Sequence, residues 1–366
     1  MSALPQNITK IHRIEPIGTK TGFPQTHTVF EMTDGIWDLS SVKLLFTFNS
    51  DGVAPRGIDC LISSLSVSFD DVEVQSINNY HHLTRLMAVH NTPATSSNML
   101  GNAQAVDLIS MSDDEPYVID RFHGILGTKD CVIKGRVRIC IVWADAAVLL
   151  RDNDSTSYEI SDLHLIVRSE IQDNVTERVE FDNFSSMFQL NENENQQTNI
   201  YIASRDIEYA IATFMTEDFH SKTSTQDYNG TSYYFSQGIP SIITNDAPVY
   251  VGISVNNIPV ADHPINYFRA NEYLDMIFDN DNRSMEHMTT LTKDGTLLIR
   301  SASTLATRQW ALGLPIDVMD EDIPYNITFH STGNINTRNY SLLFVKYNSL
   351  LEIDTGENGS KYFFTR

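Results

Sequence analysis

Two stretches decide how this chain folds: VSFDDVEVQSINNY, Val67 to Tyr80, and ISVNNIPVADHPINY, Ile253 to Tyr267. In the first, Val67, Phe69, Val72 and Val74 flank Asp70-Asp71, and Asn79-Tyr80 opens an amphipathic run. In the second, Ile253, Val255, Ile258 and Val260 flank Asn256-Asn257, and Asn266-Tyr267 opens another. Apolar residues at every second position mark a strand with one buried face. Asp and Asn pairs suit two-residue turns that need positive φ. Each stretch therefore predicts strand, tight turn, strand and then helix.

The hairpins lie 253 − 67 = 186 residues apart and the tyrosines 267 − 80 = 187, close to half of a 366-residue chain. A looser echo ties ISDLHLIVRSEI (160–171) to YSLLFVKYNSLLEI (340–353). Shared order and spacing predict an internal duplication. The boundary falls near residue 180, giving units 1–180 and 181–366. Residues up to about 25 form an N-terminal arm and those from about 355 a C-terminal tail. The polar run Asn191 to Asn199 follows the boundary, and reads equally as a surface loop of the second unit.

Period-two patterns recur outward from the repeat. Val42, Leu44, Phe46 and Phe48 alternate with polar residues except at Leu45, which reads as a strand with one wet face. Val137, Ile139, Ile141 and Trp143 form another, which looks covered on both faces towards its end. Residues 158–171, 200–214, 249–260, 296–301 and 340–353 are further strand candidates, separated by turns such as Asp294-Gly295 and Asn229-Gly230. Two helices are expected. Residues 80–91 align Leu83, Leu86, Met87 and His90, and residues 267–278 align Ala270, Tyr273, Leu274 and Ile277. Many short strands with turn punctuation indicate tandem β-sandwiches.

Composition narrows the function. The net charge is −22, from 47 acidic and 25 basic side chains. A surface that negative repels phosphate backbones, so direct sequence-specific nucleic-acid binding is not expected. Lys10, Arg13 and Lys20 make the N-terminus only mildly basic, too sparse for a genome-binding arm. Cys60, Cys131 and Cys140 are odd in number and lack metal-like spacing, which suits a reducing compartment. The first residues lack the apolar segment of a secretory signal, and Asn-x-Ser/Thr sites such as Asn229, Asn326 and Asn358 read as chance in an Asn-rich chain.

No catalytic or cofactor motif emerges, so neither an enzyme nor a bound cofactor is expected. His81, His82 and His90 are the nearest thing to a metal set. His82 and His90 sit two helical turns apart rather than one, so a helix surface or subunit contact is the better reading. Asp279 to Ser284 resembles a calcium loop but lacks its glycine and carries Arg283 among the ligand positions. Asp152 to Asp154 could likewise hold a structural divalent cation, and reads better as a solvated turn. In Asp113 to Glu115 and Asp320 to Asp322, neighbouring carboxylates on an extended chain point to opposite faces and cannot form an acid–base pair.

Residues 62–87, 122–150, 158–171, 250–268 and 332–354 resemble, in this order, segments of double jelly-roll major capsid proteins of tailless icosahedral viruses. The resemblance implies an all-β protein of two tandem eight-stranded jelly rolls, each with a short helix. It implies a non-enzymatic shell subunit whose homotrimers form pseudo-hexameric capsomers in the virion. Its partners would be further copies of itself, penton or minor capsid proteins and an internal membrane, with assembly in the host cytoplasm. Asp70, Asp71, Asn79, Tyr80, Asn256, Asn257, Asn266 and Tyr267 are then the turns and helix starts of the repeat. The rival reading is a carbohydrate- or receptor-binding tandem sandwich, a lectin-like module or virion spike, with residues 228–234 as its aromatic platform.

Overall fold

The structure is a computed structural model. It describes residues 9–50, 61–84, 116–146, 157–169, 175–191, 196–203, 206–216, 249–266, 270, 273, 277, 289–291, 297–299, 311–318, 324–332, 339–356 and 359–365.

The first half contributes β1 (Lys10–Ile14), β2 (His27–Ser50), β3 (Ile62–Phe69), β4 (Val72–Ile77), β5 (Pro116–Ile119), β6 (Val132–Trp143) and β7 (Tyr158–Ser169). They join in one seven-stranded sheet, ordered β1-β7-β2-β6-β3-β4 with β5 on β2. The long β2 makes this possible. Its first part pairs with β6 from His27 to Asp38, and its second with β7 and β5 as far as Ser50. The register slips between Met32 and Gly35, where Gly35 faces Gly135 at φ 135°, a backbone only glycine adopts readily. The Trp37 indole N–H donates to the Thr33 carbonyl across the slip at 2.9 Å. Through this corner one strand serves both layers of a sandwich.

The second half contains β8 (Arg178–Asn191), β9 (Gln196–Ile202), β10 (Ile207–Thr216), β11 (Tyr250–Val255), β12 (Ile258–Pro259) and β13 (Ile265–Asn266). After the short pair β14 (Thr289–Leu291) and β15 (Leu297–Ile299) come β16 (Ala311–Val318), β17 (Tyr325–Thr332), β18 (Asn339–Gly356) and β19 (Gly359–Thr365). One five-stranded sheet runs β16-β10-β18-β19 with β8 on β18, and the other β12-β11-β17-β9 with β13 on β11.

The strand pairing of the first half recurs in the second. β7 lies between β1 and β2, and β18 between β8 and β10. β6 joins the first part of β2 to β3, and β17 joins β9 to β11. β5 edges the second part of β2 as β16 edges β10. What β2 does continuously, β9 and β10 do as two strands. Residues 200–214 are therefore not the single strand their apolar pattern predicts: β9 stops at Ile202 and β10 starts at Ile207. Of the run 191–199, the described residues are strand, with β8 ending at Asn191 and β9 starting at Gln196, and 192–195 lie outside the described residues.

Two apolar cores result. The larger gathers Phe30, Phe46, Phe48, Phe69 and Trp143 from the first half. The smaller gathers Phe214, Ile253, Leu312, Phe329 and Val345 from the second. The sheet of β8, β10, β16 and β18 lies between them. Leu342 and Phe344 join the first core, while Leu343 and Val345 join the second. Apolar residues on consecutive positions of β18 are thus explained by burial on both faces. In β6 the face opposite the core is only half-buried, at Arg138, Cys140 and Val142, so its end is less covered than the sequence predicts. Tyr80 to Thr84 are helical, and the rest of the expected 80–91 helix, like nearly all of 267–278, lies outside the described residues.

Candidate functional site: the seam between the two sandwiches

The hairpin turns come first, because they position the seam. Asp70 and Asp71 have φ of 44° and 69°, Asn256 and Asn257 of 50° and 68°. Each first turn residue makes the same pair of bonds to the neighbouring strand. Asp70 N–H donates to Arg136 O at 2.9 Å, and its carboxylate accepts from Arg136 N–H at 2.9 Å. Asn256 N–H donates to Asn326 O at 2.9 Å, and its side-chain oxygen accepts from Asn326 N–H at 2.8 Å. Because a β-branched side chain resists this backbone, Asn257→Val should cost about 1–2 kcal/mol in a urea melt, with Asn257→Gly close to neutral.

Beyond the first hairpin, β4 delivers Gln75, 2% exposed, to β8. Its Nε2 donates to Asp182 O at 3.0 Å, and its Oε1 accepts from Ile125 N–H at 2.9 Å. Ile125 belongs to a 3-10 turn, Gly124–Gly127, that starts with Gly124 at φ 84°. A Cβ on Gly124 would collide with the Gln75 amide, so glycine is required on two counts. Asn79, at φ 53°, donates to Ser186 Oγ at 2.9 Å, and that hydroxyl donates to Asn78 O at 2.9 Å. Asn183 Nδ2 reaches Ser349 Oγ at 3.3 Å.

Aromatic rings carry the seam onward. Tyr80 is fully buried, and its hydroxyl accepts from His123 N–H at 3.0 Å. The His123 ring meets Phe184 edge-on at 5.9 Å. His82 stacks on Phe188 at 6.2 Å, and Phe188 on Tyr340 at 4.6 Å. His81 and His82 are 6% and 2% exposed, their rings 3.9 Å apart. They are buried rather than the helix-surface or subunit-contact residues their spacing predicts, with His82 lying against Phe188 of β8. His90 lies outside the described residues.

Charge collects at one end. Lys346, its side chain 14% exposed, bridges Glu208 at 2.7 Å and Asp182 at 3.0 Å and lies 5.5 Å over the Tyr209 ring. Burial works against this ammonium ion, yet hydrogen bonds and charge from Glu208 and Asp182 raise its pKa overall. Burial pushes the His123 pKa down to about 4, helped by Lys346. Burial also pushes the Cys131 thiol up to about 12 and raises that of Cys140, so neither supplies a thiolate at neutral pH.

Among the described residues no group of three or more His, Cys, Asp or Glu could hold a metal ion. The candidate cation loops 152–154 and 279–284, the acidic triplets 113–115 and 320–322, residues 228–234, Cys60 and Tyr267 lie outside the described residues. Asn266 is described, pairing with Tyr250 in the short β11–β13 ladder. Among the described residues no helix is long and apolar enough to cross a membrane.

Two sandwiches of one topology, the second laid against the first through a polar and aromatic seam, define a double jelly-roll protein. The same fold, end to end, occurs in solved viral structures. PBCV-1 VP54, fitted into a reconstruction of the virophage Sputnik, matches with a TM-score of 0.58 at 8% identity over 100% of this chain and 99% of that one. The PBCV-1 virus capsid gives 0.57 at 10% identity, with 100% and 99% covered. The Faustovirus major capsid protein gives 0.53 at 7% identity, with 97% and 92% covered. No protein-family model and no curated protein sequence matches the chain.

Proposed function

We propose that this chain is a viral major capsid protein, a structural subunit with no active site whose homotrimers tile an icosahedral shell as pseudo-hexameric capsomers. One observation carries the reading: the double jelly roll matches capsid structures across 100% of this chain and 99% of theirs. The units divide near residue 180, and the hairpin turns at Asp70-Asp71 and Asn256-Asn257 are the framework of the repeat. Duplication suits a shell because three two-lobed chains present six similar lobes, a near-hexagonal outline that packs on a lattice. Penton and minor capsid proteins would fill the vertices and joints. The sparse cations of the N-terminus fit an internal membrane between shell and genome.

Native mass by light scattering, with electron microscopy of the larger species, tests the reading. A particle of three 41.3 kDa chains that grows into closed shells is the expected result. A monomer at every concentration and ionic strength rules it out.

Charge sets the conditions. Three chains carry 3 × (−22) = −66, so trimers should repel until cations screen them. Shell yield should rise steeply between about 10 mM and 0.15 M salt, where the Debye length falls from roughly 30 to 8 Å. Yield independent of salt and of divalent ions contradicts this.

A further inference from the structure

The two sandwiches share their strand pairing but not their surfaces. In the second half, Ile200, Ile253, Ile327 and Phe329 point into the smaller core. Alternation then places Gln197, Asn199, Tyr201, Thr328, His330 and Tyr250 on the opposite face of β9, β17 and β11.

Matched rows show how this face departs from its counterpart. In the first half Glu31, Arg138 and Ser68 lie side by side across β2, β6 and β3. In the second, Asn199, Thr328 and Ser254 do so across β9, β17 and β11. Ser254 follows Ser68 by 254 − 68 = 186, the offset of the hairpins. The first row holds an ion pair, Arg138 to Glu31 at 2.9 Å. The second holds a neutral hydrogen bond, with the Thr328 hydroxyl donating to Asn199 Oδ1 at 2.7 Å.

One row on, His330 stands beside Gln197, and its ring lies over Gly252, where a Cβ would collide with it. Burial holds the His330 pKa below its ordinary value, so the ring is uncharged at neutral pH. Along β9, β11 and β17, no side chain on this face is then charged or aliphatic, in a chain of net charge −22. Tyr201 is 75% exposed and Tyr250 39%. Tyr201 pairs with Asn326 and Tyr250 with Thr332, so the two rings stand in rows roughly 20 Å apart along β17.

This composition selects a partner. An anion would need cations, and another protein would need an apolar centre to the contact. A chain of neutral sugars needs amide, hydroxyl and imidazole groups for its hydroxyls, and rings beneath its C–H faces.

We infer that this face of β9, β17 and β11 binds a neutral saccharide chain, with Tyr201 and Tyr250 as platforms at its ends. Asn199, Gln197 and His330 exchange hydrogen bonds with the sugar between them. The inference adds a binding activity to the shell reading and does not depend on it.

The test presents the full chain to an array of neutral oligosaccharides of hexoses, N-acetylhexosamines, deoxyhexoses and pentoses, beside sialylated and sulfated ones. Neutral chains should be retained and acidic ones not, and retention should not vary with salt, because there is no charge to screen. Calorimetric titration with the best-retained oligosaccharide then reads the variants. Tyr201→Ala should weaken binding about tenfold, with an unchanged thermal melt because the ring is solvent-exposed. Tyr201→Phe, which keeps the ring, should retain most of the affinity, and Gln197→Ala should lose part of it. An array that retains no neutral oligosaccharide, retention of acidic glycans alone, or a Tyr201→Ala chain that binds as wild type overturns the inference.

Discussion

Replacing Phe344 with alanine is expected to lower stability to unfolding by about 3–5 kcal/mol, the usual cost of emptying a fully packed phenylalanine site. Phe344 is 1% exposed and belongs to the larger core, although it comes from the second half of the chain. Its neighbour Leu343, 0% exposed, points into the smaller core. Leu343→Ala should cost about 2–5 kcal/mol. Because adjacent residues of one strand serve both cores, the two variants should shift the same single transition in urea, each lowering the midpoint without changing the slope. A loss under 1 kcal/mol at Phe344, or two separate transitions, would show that the halves are only loosely apposed.

The second large effect is acid weakening of the seam. His123, half-buried, lies against the rings of Tyr80 and Phe184, and desolvation together with the Lys346 charge lowers its pKa from 6.5 to about 4 on folding. A group held neutral in the fold binds fewer protons there than when unfolded, so its stabilising contribution is complete above pH 6.5. It is lost as the pH falls towards 4. A shift of this size corresponds to roughly 3 kcal/mol. His123→Leu should therefore flatten the stability profile between pH 6.5 and 4, although carboxylates will still shape it below pH 4. A variant profile parallel to that of wild type through this window would exclude His123 as the cause.

Much of the architecture was legible because its causes are local. Asp70-Asp71 and Asn256-Asn257 announce tight turns by residue type, and the apolar alternation around them announces the strands. Their matched spacing then yields the duplication. β18 was visible as a strand for the opposite reason, through an unbroken apolar run that only burial on both faces explains. The first part of β2 is absent from the strand candidates, and the chain passes through Thr33-Asp34-Gly35 as a bulged corner between the two parts of the strand. The break between β9 and β10 was hidden by apolar residues on either side of it. The seam could not be found at all from residue types. Gln75 and Asp182 lie 107 positions apart, and a lone glutamine, asparagine or serine carries no pattern that names its partner. Gly124 was its one local sign, since a glycine after His123 suggests special backbone without revealing the amide that crowds it.

The sheet shared by both cores also imposes an order on synthesis. A ribosome releases β1 to β7 first, and by Ser169 the first sandwich has its own strands. Its flank must stay wet until β8, β10, β16 and finally β18 arrive, because Leu342 and Phe344 come more than 170 residues later. During that interval the nascent chain carries an oily face that suits a neighbour's nascent chain as well as its own second half. A gene that makes many copies side by side on one messenger therefore runs the risk of exchanged halves. Slow passage through residues 170–340 would lengthen the exposure, and a chaperone that shields the flank would shorten it.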